Sequence, residues 1–473
     1  MYDLVLKAAR IVDPANSVDR IADIAVQQGK IAEIAESGTL APGRKSLDLT
    51  GTVAVPGIID PHVHLRESIG GSRGYQMVAQ SGVTTAVDFA GPVEQIAAAV
   101  GHSGKGLNVA VLNSLRPGIN ISGDDPSETE IDAFIDLSME QGAVGIKILG
   151  GHYPLTPEAT GRVVERANRR KVYLGFHVGT TKTKGNFHGF MEAVSIIGRG
   201  RAHIAHVNSY CRGQTMDALD ETREVLKVLS QSDRLVSESY LALINGTSGK
   251  CTNGRPLSRV TRICLQNGGF APTEEGLRRA LSGGYAMVNA PRGPVNVLAG
   301  GSEALSSWLE CGTDVMLSFN VNHPHALMLF ATAKDKDGRF VVDAFSTDGG
   351  GIARNVLVEK ALLLVRFGAL SLEEFVLKSS YNPSRMLGML DKGHLGIGAD
   401  ADITVLDLDE GRAVSSIAAG KPVLVDRQVI GEGGILYLCE QGRKTAESQH
   451  ITHRVIDLSR SLLYAESRER AGA

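Results

Sequence analysis

The sequence predicts an α/β chain: a (β/α)8, TIM-like barrel carrying a small β-sandwich domain formed by the N- and C-terminal segments. Three observations predict it. Strand and helix patterns alternate about eight times over roughly 330 central residues. Both ends read instead as short strands joined by tight turns. Candidate metal-ligating side chains recur where successive strands stop, the end at which such barrels hold their chemistry. An open, doubly wound sheet is the rival architecture, and the absence of a GxGxxG after the first strand pattern lowers it.

Composition narrows the function classes. The chain has 473 residues, 43% hydrophobic and 21% charged, enough for a large core with an appendage. A formal net charge of −3 suggests neither nucleic acid nor an anionic membrane as the main partner. Glycine is frequent, at 55 residues, as many tight strand-to-helix turns require. The five cysteines, Cys211, Cys251, Cys264, Cys311 and Cys439, are odd in number and form no CxxC. That pattern predicts reduced thiols and a cytoplasmic setting. The first residues alternate like a strand rather than a secretion signal, and no apolar run reaches the roughly 18 residues of a membrane span. Asn120 and Asn245 match the glycosylation pattern but gain no weight without such a signal.

In chain order, residues 1–52 read as short strands. A hairpin is predicted from Ile21–Val26, the turn Gln28-Gly29-Lys30 and Ile31–Ala35. The barrel is predicted over 53–392. It opens with the apolar run Val53–Ile59, interrupted at Pro56-Gly57 and ending at Asp60-Pro61. Val83–Ala90 is strand-like, Val93–Val100 helical and Leu107–Leu115 strand-like. Asp125-Pro-Ser-Glu-Thr-Glu opens a helix to about Gln141, with acids where the helix dipole favours them. Val144–Leu149 is a strand, and Thr156-Pro-Glu caps the next helix. Val172–His177, Ala202–Val207 and Arg234–Tyr240 continue the strands. A Gly-rich stretch after Tyr240, to about Gly301, is longer than an ordinary loop and reads as a functional segment or a lid. Val315–Val321 and Phe340–Ser346 are further strands, the latter the last of the barrel, followed by helices over 353–370 and from Leu372. Residues 393–440 return to strand texture and complete the small β domain with 1–52. Residues 441–473 form a polar extension, a terminal helix or arm.

The site candidates follow from these elements. His62 and His64 are two apart, so on an extended strand both imidazoles face one point, as two ligands of one metal must. Arg66 shares their parity. Lys147 is a charge inside the apolar Gly145-Ile-Lys-Ile-Leu-Gly, costly unless paired, altered or snorkelling to the rim. His177 and His206 end strands, with His203 of opposite parity to His206 and predicted to face outward. Asp348 follows the last strand, before three glycines. Each histidine alone reads as structural. Four histidines, one lysine and one aspartate at the ends of strands one, four, five, six and eight point instead to a divalent metal such as zinc.

These residues carry a resemblance. PGIIDPHVHLRE from Pro56, GIK from Gly145, the histidines of GFHV and AHVNS, STDG from Ser346, NPSRMLG from Asn382 and GHLGIGADADITV from Gly393 are similar to the amidohydrolase superfamily, in the branch of dihydroorotases, hydantoinases and D-aminoacylases. The resemblance covers roughly residues 1–440. It implies a carboxylated Lys147 bridging two divalent ions, most often zinc. His62, His64 and Asp348 would bind one ion and His177 and His206 the other. It implies a bridging hydroxide that attacks an amide carbonyl, with Asp348 as base and then acid. It also implies a small-molecule amide substrate and a homo-dimer or tetramer.

Arg66 in His-x-His-x-Arg resembles the dihydroorotase pattern, where that arginine holds a substrate carboxylate; pairing to Glu67 or a backbone carbonyl is the other reading. Two departures stand against a dihydroorotase specifically. Ser68-Ile-Gly-Gly replaces the usual Pro-Gly after the motif, and Ser-Thr-Asp-Gly-Gly is closer to the D-aminoacylase style. His152 and Tyr153 lie where hydantoinases place an oxyanion-binding tyrosine, although Tyr153 also reads as a packed rim residue. Asn208 is a substrate-binding candidate; Ser209, Glu238, Arg292 and His323 sit at strand ends or in the long stretch, and all have structural readings too. The expected function is hydrolysis of a C–N amide bond, in a cyclic amide or an N-acyl amino acid that bears a carboxylate. An N-acyl-D-amino-acid deacylase or a dihydroorotase-type enzyme, a deaminase of the superfamily, and a non-catalytic relative are the alternatives. Lys147 argues against the deaminase, and the full ligand set against the non-catalytic relative.

Overall fold

The computed structural model describes residues 1–465. Both chain ends meet in one nine-stranded sheet. Leu4–Asp13 pairs with Val18–Gln27, and Ile403–Asp407 pairs with Arg412–Ala418. Val53–Pro56 lies between these halves, parallel to Leu4–Asp13 and antiparallel to Ile403–Asp407. It was expected to open the barrel and instead completes the small domain. The crossing point is Gly57, where an added Cβ would fall 2.4 Å from Thr84 Oγ1 and 2.7 Å from Asp402 Cβ. Only glycine lets the chain pass there.

The barrel follows. Its strands are Ile58–His64, Val83–Asp88, Leu107–Leu115, Gly145–Ile148, Tyr173–Phe176, Ala202–Ile204, Leu235–Tyr240 and Ala344–Ser346, numbered one to eight and each parallel to the next. Closure comes from the segment after strand eight. Asp348 N–H donates to His62 O and Gly351 N–H to His64 O, both at 2.8 Å, and Gly349–Gly350 pairs with Val63–His64. Strand eight is shorter than expected, because Phe340 turns back to bridge Lys334. The helices form as their caps predict. Ser127 accepts from Glu130 N–H ahead of Glu128–Glu140, and Thr156 from Ala159 N–H ahead of Pro157–Arg169, with Pro157 in the first turn.

The Gly-rich stretch is not a loop. Thr247–Ser248, Met316–Phe319, Ala286–Arg292 and Val295–Ala299 form a four-stranded sheet. Helices Arg259–Asn267, Glu274–Ser282 and Gly301–Glu310 cover it, around a core that includes Trp308, Leu265, Leu277 and Phe319. The strand expected at Val315–Val321 thus belongs to this inserted unit. Gly434–Leu438 also departs from expectation. It pairs with the first half of strand three, Leu107–Ala110, whereas strand four pairs with the second half, Leu112–Leu115. Strand three is long enough to expose an edge, and Leu436 and Leu438 are buried in covering it. The arm then adds the helix Arg443–Ser448 and the strand His453–Val455; the expectation for 466–473 lies outside the described residues. Among the described residues no helix is long and apolar enough to cross a membrane.

Candidate metal centre and substrate cavity

Strand one carries His62 and His64 with ring centroids 5.3 Å apart. His206, which follows strand six, lies 5.1 Å from His62, and His177, which follows strand five, lies 4.6 Å from His206. Lys147 is buried in strand four, its Nζ 3.2 Å from His62 Nε2. Asp348 Oδ1 lies 2.9 Å from His64 Nε2 and 3.3 Å from His62 Nε2. The structure thus gathers the six predicted residues from five strand ends. Ligand atoms of His62, His206 and Asp348 fall within 4.8 Å of one another. This tightest trio crosses the expected division of ligands between two ions.

His203 corrects an expectation. It is fully buried, 4.9 Å from the Phe89 ring that also lies against His62, and does not face outward. Strand alternation fails here because strand six stops at Ile204 and His206 takes a left-handed φ of 32°. That kink brings His206 to the centre as well.

Glu238, in strand seven, was given no specific role by the sequence. Its Oε1 accepts from His62 Nδ1 and from the His206 N–H, each at 2.7 Å, and its Oε2 accepts from Ser346 Oγ. An Nδ1–H held by Glu238 leaves the Nε2 lone pair of His62 aimed at Lys147 and Asp348, the tautomer a metal ligand needs. Asp60 braces the same strand, accepting from the His62 and Thr347 backbone N–H groups at 3.1 Å. Asp60 was available to the signal that exposed Lys147, a charge inside an apolar strand, whereas Glu238 is hidden between Ser237 and Ser239.

The electrostatics fit a cation. Burial holds His62, His177 and His206 below their usual range, and so neutral. Burial pushes Glu238 up to about 8 and Asp60 up to about 7. Burial also raises Asp348, but Arg354, His62 and the His64 hydrogen bond outweigh it and hold the carboxyl well below its ordinary value. Arg354 pairs with Asp348 Oδ2, and its Nε donates to the Asp348 carbonyl at 2.6 Å. Burial pulls Lys147 down to about 8 against the attraction of Asp348 and Glu238. The buried Nδ1 atoms of His64 and His206 have no hydrogen-bond partner among the described residues. Neutral imidazoles, free ring nitrogens and under-compensated carboxylates are the donor set of a divalent-metal site.

Above the centre is a cavity of about 460 Å³, closed on one side by Thr247, Arg259 and Ile263 of the inserted unit. Arg66 reaches it directly after strand one. It forms no ion pair with Glu67, and its Nε is buried without a partner among the described residues. His152 and Tyr153 line the mouth, both exposed, with the His152 ring 5.0 Å from His177. Asn208 sits behind the wall, its Oδ1 accepting the Tyr240 N–H at 3.1 Å, while Ser209 and Tyr210 face the cavity. Arg292 is exposed and paired with Glu303, and His323 precedes the helix Pro324–Thr332.

Comparison with known proteins follows the same line. Residues 296–433 match the family described as amidohydrolase family. A dihydroorotase of Streptococcus pneumoniae serotype 4 is 25% identical over 431 residues, covering 88% of this chain and 93% of that one. An N-acyl-D-glutamate deacylase from Bordetella bronchiseptica, solved with zinc and a phosphonate inhibitor, superposes with a TM-score of 0.64 at 16% identity, covering 92% of this chain and 98% of that one. A D-hydantoinase superposes with a TM-score of 0.60 at 18% identity, covering 92% and 98%. The structural likeness is one of fold.

Proposed function

We propose that this chain, a member of the amidohydrolase superfamily in the branch of dihydroorotases, hydantoinases and D-aminoacylases, is a metal-dependent hydrolase that cleaves a C–N amide bond in a small, carboxylate-bearing molecule. The observation that carries this reading is the convergence of four imidazoles, Lys147 and Asp348 at one end of the barrel. In it a carboxylated Lys147, together with His62, His64, His177, His206 and Asp348, would hold the divalent ions, with zinc the first choice. When bound, such ions polarise the amide carbonyl and lower the pKa of water.

The protein residues do the rest. A lysine pulled down to about 8 is about one-tenth unprotonated at pH 7, far more than an ordinary lysine, and this is the form that takes up carbon dioxide. Carboxylation also replaces a costly buried ammonium with an anion suited to the site. Asp348 presents Oδ1 to the centre while Arg354 occupies Oδ2. It enters the reaction ionised, takes the proton of the attacking water on Oδ1 and delivers it to the leaving nitrogen. Glu238 keeps His62 in one tautomer. Arg66, whose buried Nε has no partner among the described residues, holds a substrate carboxylate.

The test is a hydrolysis screen of the zinc-loaded protein with dihydroorotate, hydantoins, dihydropyrimidines, lactams and N-acyl-D-amino acids. Turnover of an acidic member supports the reading and separates cyclic from linear substrates. A protein carrying two zinc ions that cleaves none of them overturns it in favour of a non-catalytic relative, and release of ammonia from an amino-heterocycle favours a deaminase.

A further inference from the structure

Most arginines on the barrel's outer helices face a carboxylate, as Arg162 does Asp125 and Arg166 does Asp132. The cavity is different. Arg66, Arg116, Lys184, Arg212 and Arg259 all line it, and among the described residues none has an ion-pair partner. The single carboxylate on the wall, Asp348, is already engaged by Arg354 and His64. Like charges gathered without counter-ions repel one another, and this occurs in a chain whose net charge is −3.

Two of these guanidinium groups are fixed in place on opposite arcs of the mouth. Arg116 follows strand three, beside Arg66 at the end of strand one. Its Nε donates to Ser114 Oγ at 3.0 Å and its Nη2 to Ala90 O at 2.9 Å, which leaves Nη1 free of protein partners. Arg212 follows strand six, and its Nε donates to Asn322 Oδ1 at 2.9 Å. Asn322 is itself locked, its Nδ2 donating to Tyr240 OH, Ala242 O and Ile244 O. In an eight-stranded ring the arc of strands one to three lies across from strand six, with the metal centre between. Fixed, unpaired guanidinium forks bind carboxylates and phosphates at low ordering cost.

We propose that the substrate carries an anionic group on each side of the scissile bond, one received by Arg66 and Arg116 and the other by Arg212. This deepens the hydrolase reading above and rests on it for the position of the bond. The volume, about 460 Å³, suits a compact molecule of this kind.

Uncleavable ketones test the proposal on the zinc-loaded full chain by calorimetric titration. Levulinate places one carboxylate beside a carbonyl, and 4-oxoheptanedioate places one on each side. The expected result is at least tenfold tighter binding of the diacid, lost in Arg212→Met and partly recovered in Arg212→Lys. The diacid's affinity in the unaltered protein should also fall more steeply with added sodium chloride, a measurement that needs no variant to fold. Equal affinities for the two ketones, or an advantage that survives Arg212→Met, overturn the proposal. A third ketone, 4-oxo-6-phosphonohexanoate, sorts the second anion: tighter binding than the diacid assigns it as a phosphate, weaker binding as a carboxylate. Because neither outcome depends on turnover, failure here leaves the hydrolysis screen standing, and the converse holds.

Discussion

The floor of the cavity and its rim have opposite electrostatic needs. At the floor, Glu238, Asp60 and Asp348 are buried around neutral imidazoles, and two of the three carboxyls are held above their ordinary range. At the rim, arginines and a lysine stand without carboxylates. Among the described residues, the floor gathers carboxylates with only Arg354 and Lys147 as cations, and the rim lacks anions. The difference separates two tasks within a few residues of each other: the floor is built for ions that stay, the rim for a molecule that comes and goes. Each region is therefore disturbed by a different kind of substitution.

The largest effect is expected at the floor. Lys147→Ala should abolish hydrolysis, by a factor of about 10³ or more, and remove bound metal at the same time. Metal analysis checks this, and a variant that keeps two ions per chain would break the assignment of Lys147 as the shared ligand. Glu238→Gln should cost about 10- to 100-fold in metal affinity or activity, because His62 loses its tautomer anchor; a competition titration with a chelator measures it. At the rim, Arg66→Met should leave metal content intact and raise KM for acidic substrates by about 10- to 100-fold, as loss of a charged hydrogen bond does. Equal losses on neutral substrates would show Arg66 to be structural. The smallest effect is one of pH. Lys147 is pulled down to about 8, so below that value the nucleophilic free amine is the minor form. Reactivation of metal-stripped protein by zinc at a fixed concentration of dissolved carbon dioxide should slow about tenfold per pH unit below about 7 and level off above about 9. A flat profile would separate carboxylation from the state of this amine.

The same division decides what the sequence reveals. The ligands are legible because strand geometry is local: His62 and His64 share a face by parity, and Lys147 breaks an apolar run. Glu238 is harder to read, because Ser237 and Ser239 flank it and its strand offers no apolar run to break. His203 defeats the parity rule because alternation holds only while a strand lasts, and strand six ends two residues before His206. The rim is harder. Arg116 and Arg212 lie in irregular segments more than ninety residues apart, and only barrel closure sets them across from each other. The inserted unit is equally hidden, because Leu265, Trp308 and Phe319 meet through long-range pairing that no local pattern announces. At Val53 the apolar run looks continuous, and only Pro56-Gly57 betrays that it belongs to two sheets.

The seam of the barrel has a consequence of its own. The bonds from Asp348 N–H to His62 O and from Gly351 N–H to His64 O stitch the last staves of the cylinder to the first. The stitched segments are also the ones that bear His62, His64 and Asp348. A chain whose two margins are still apart therefore has no complete set of ligands to offer, and premature capture of metal by a half-made cylinder is disfavoured by construction.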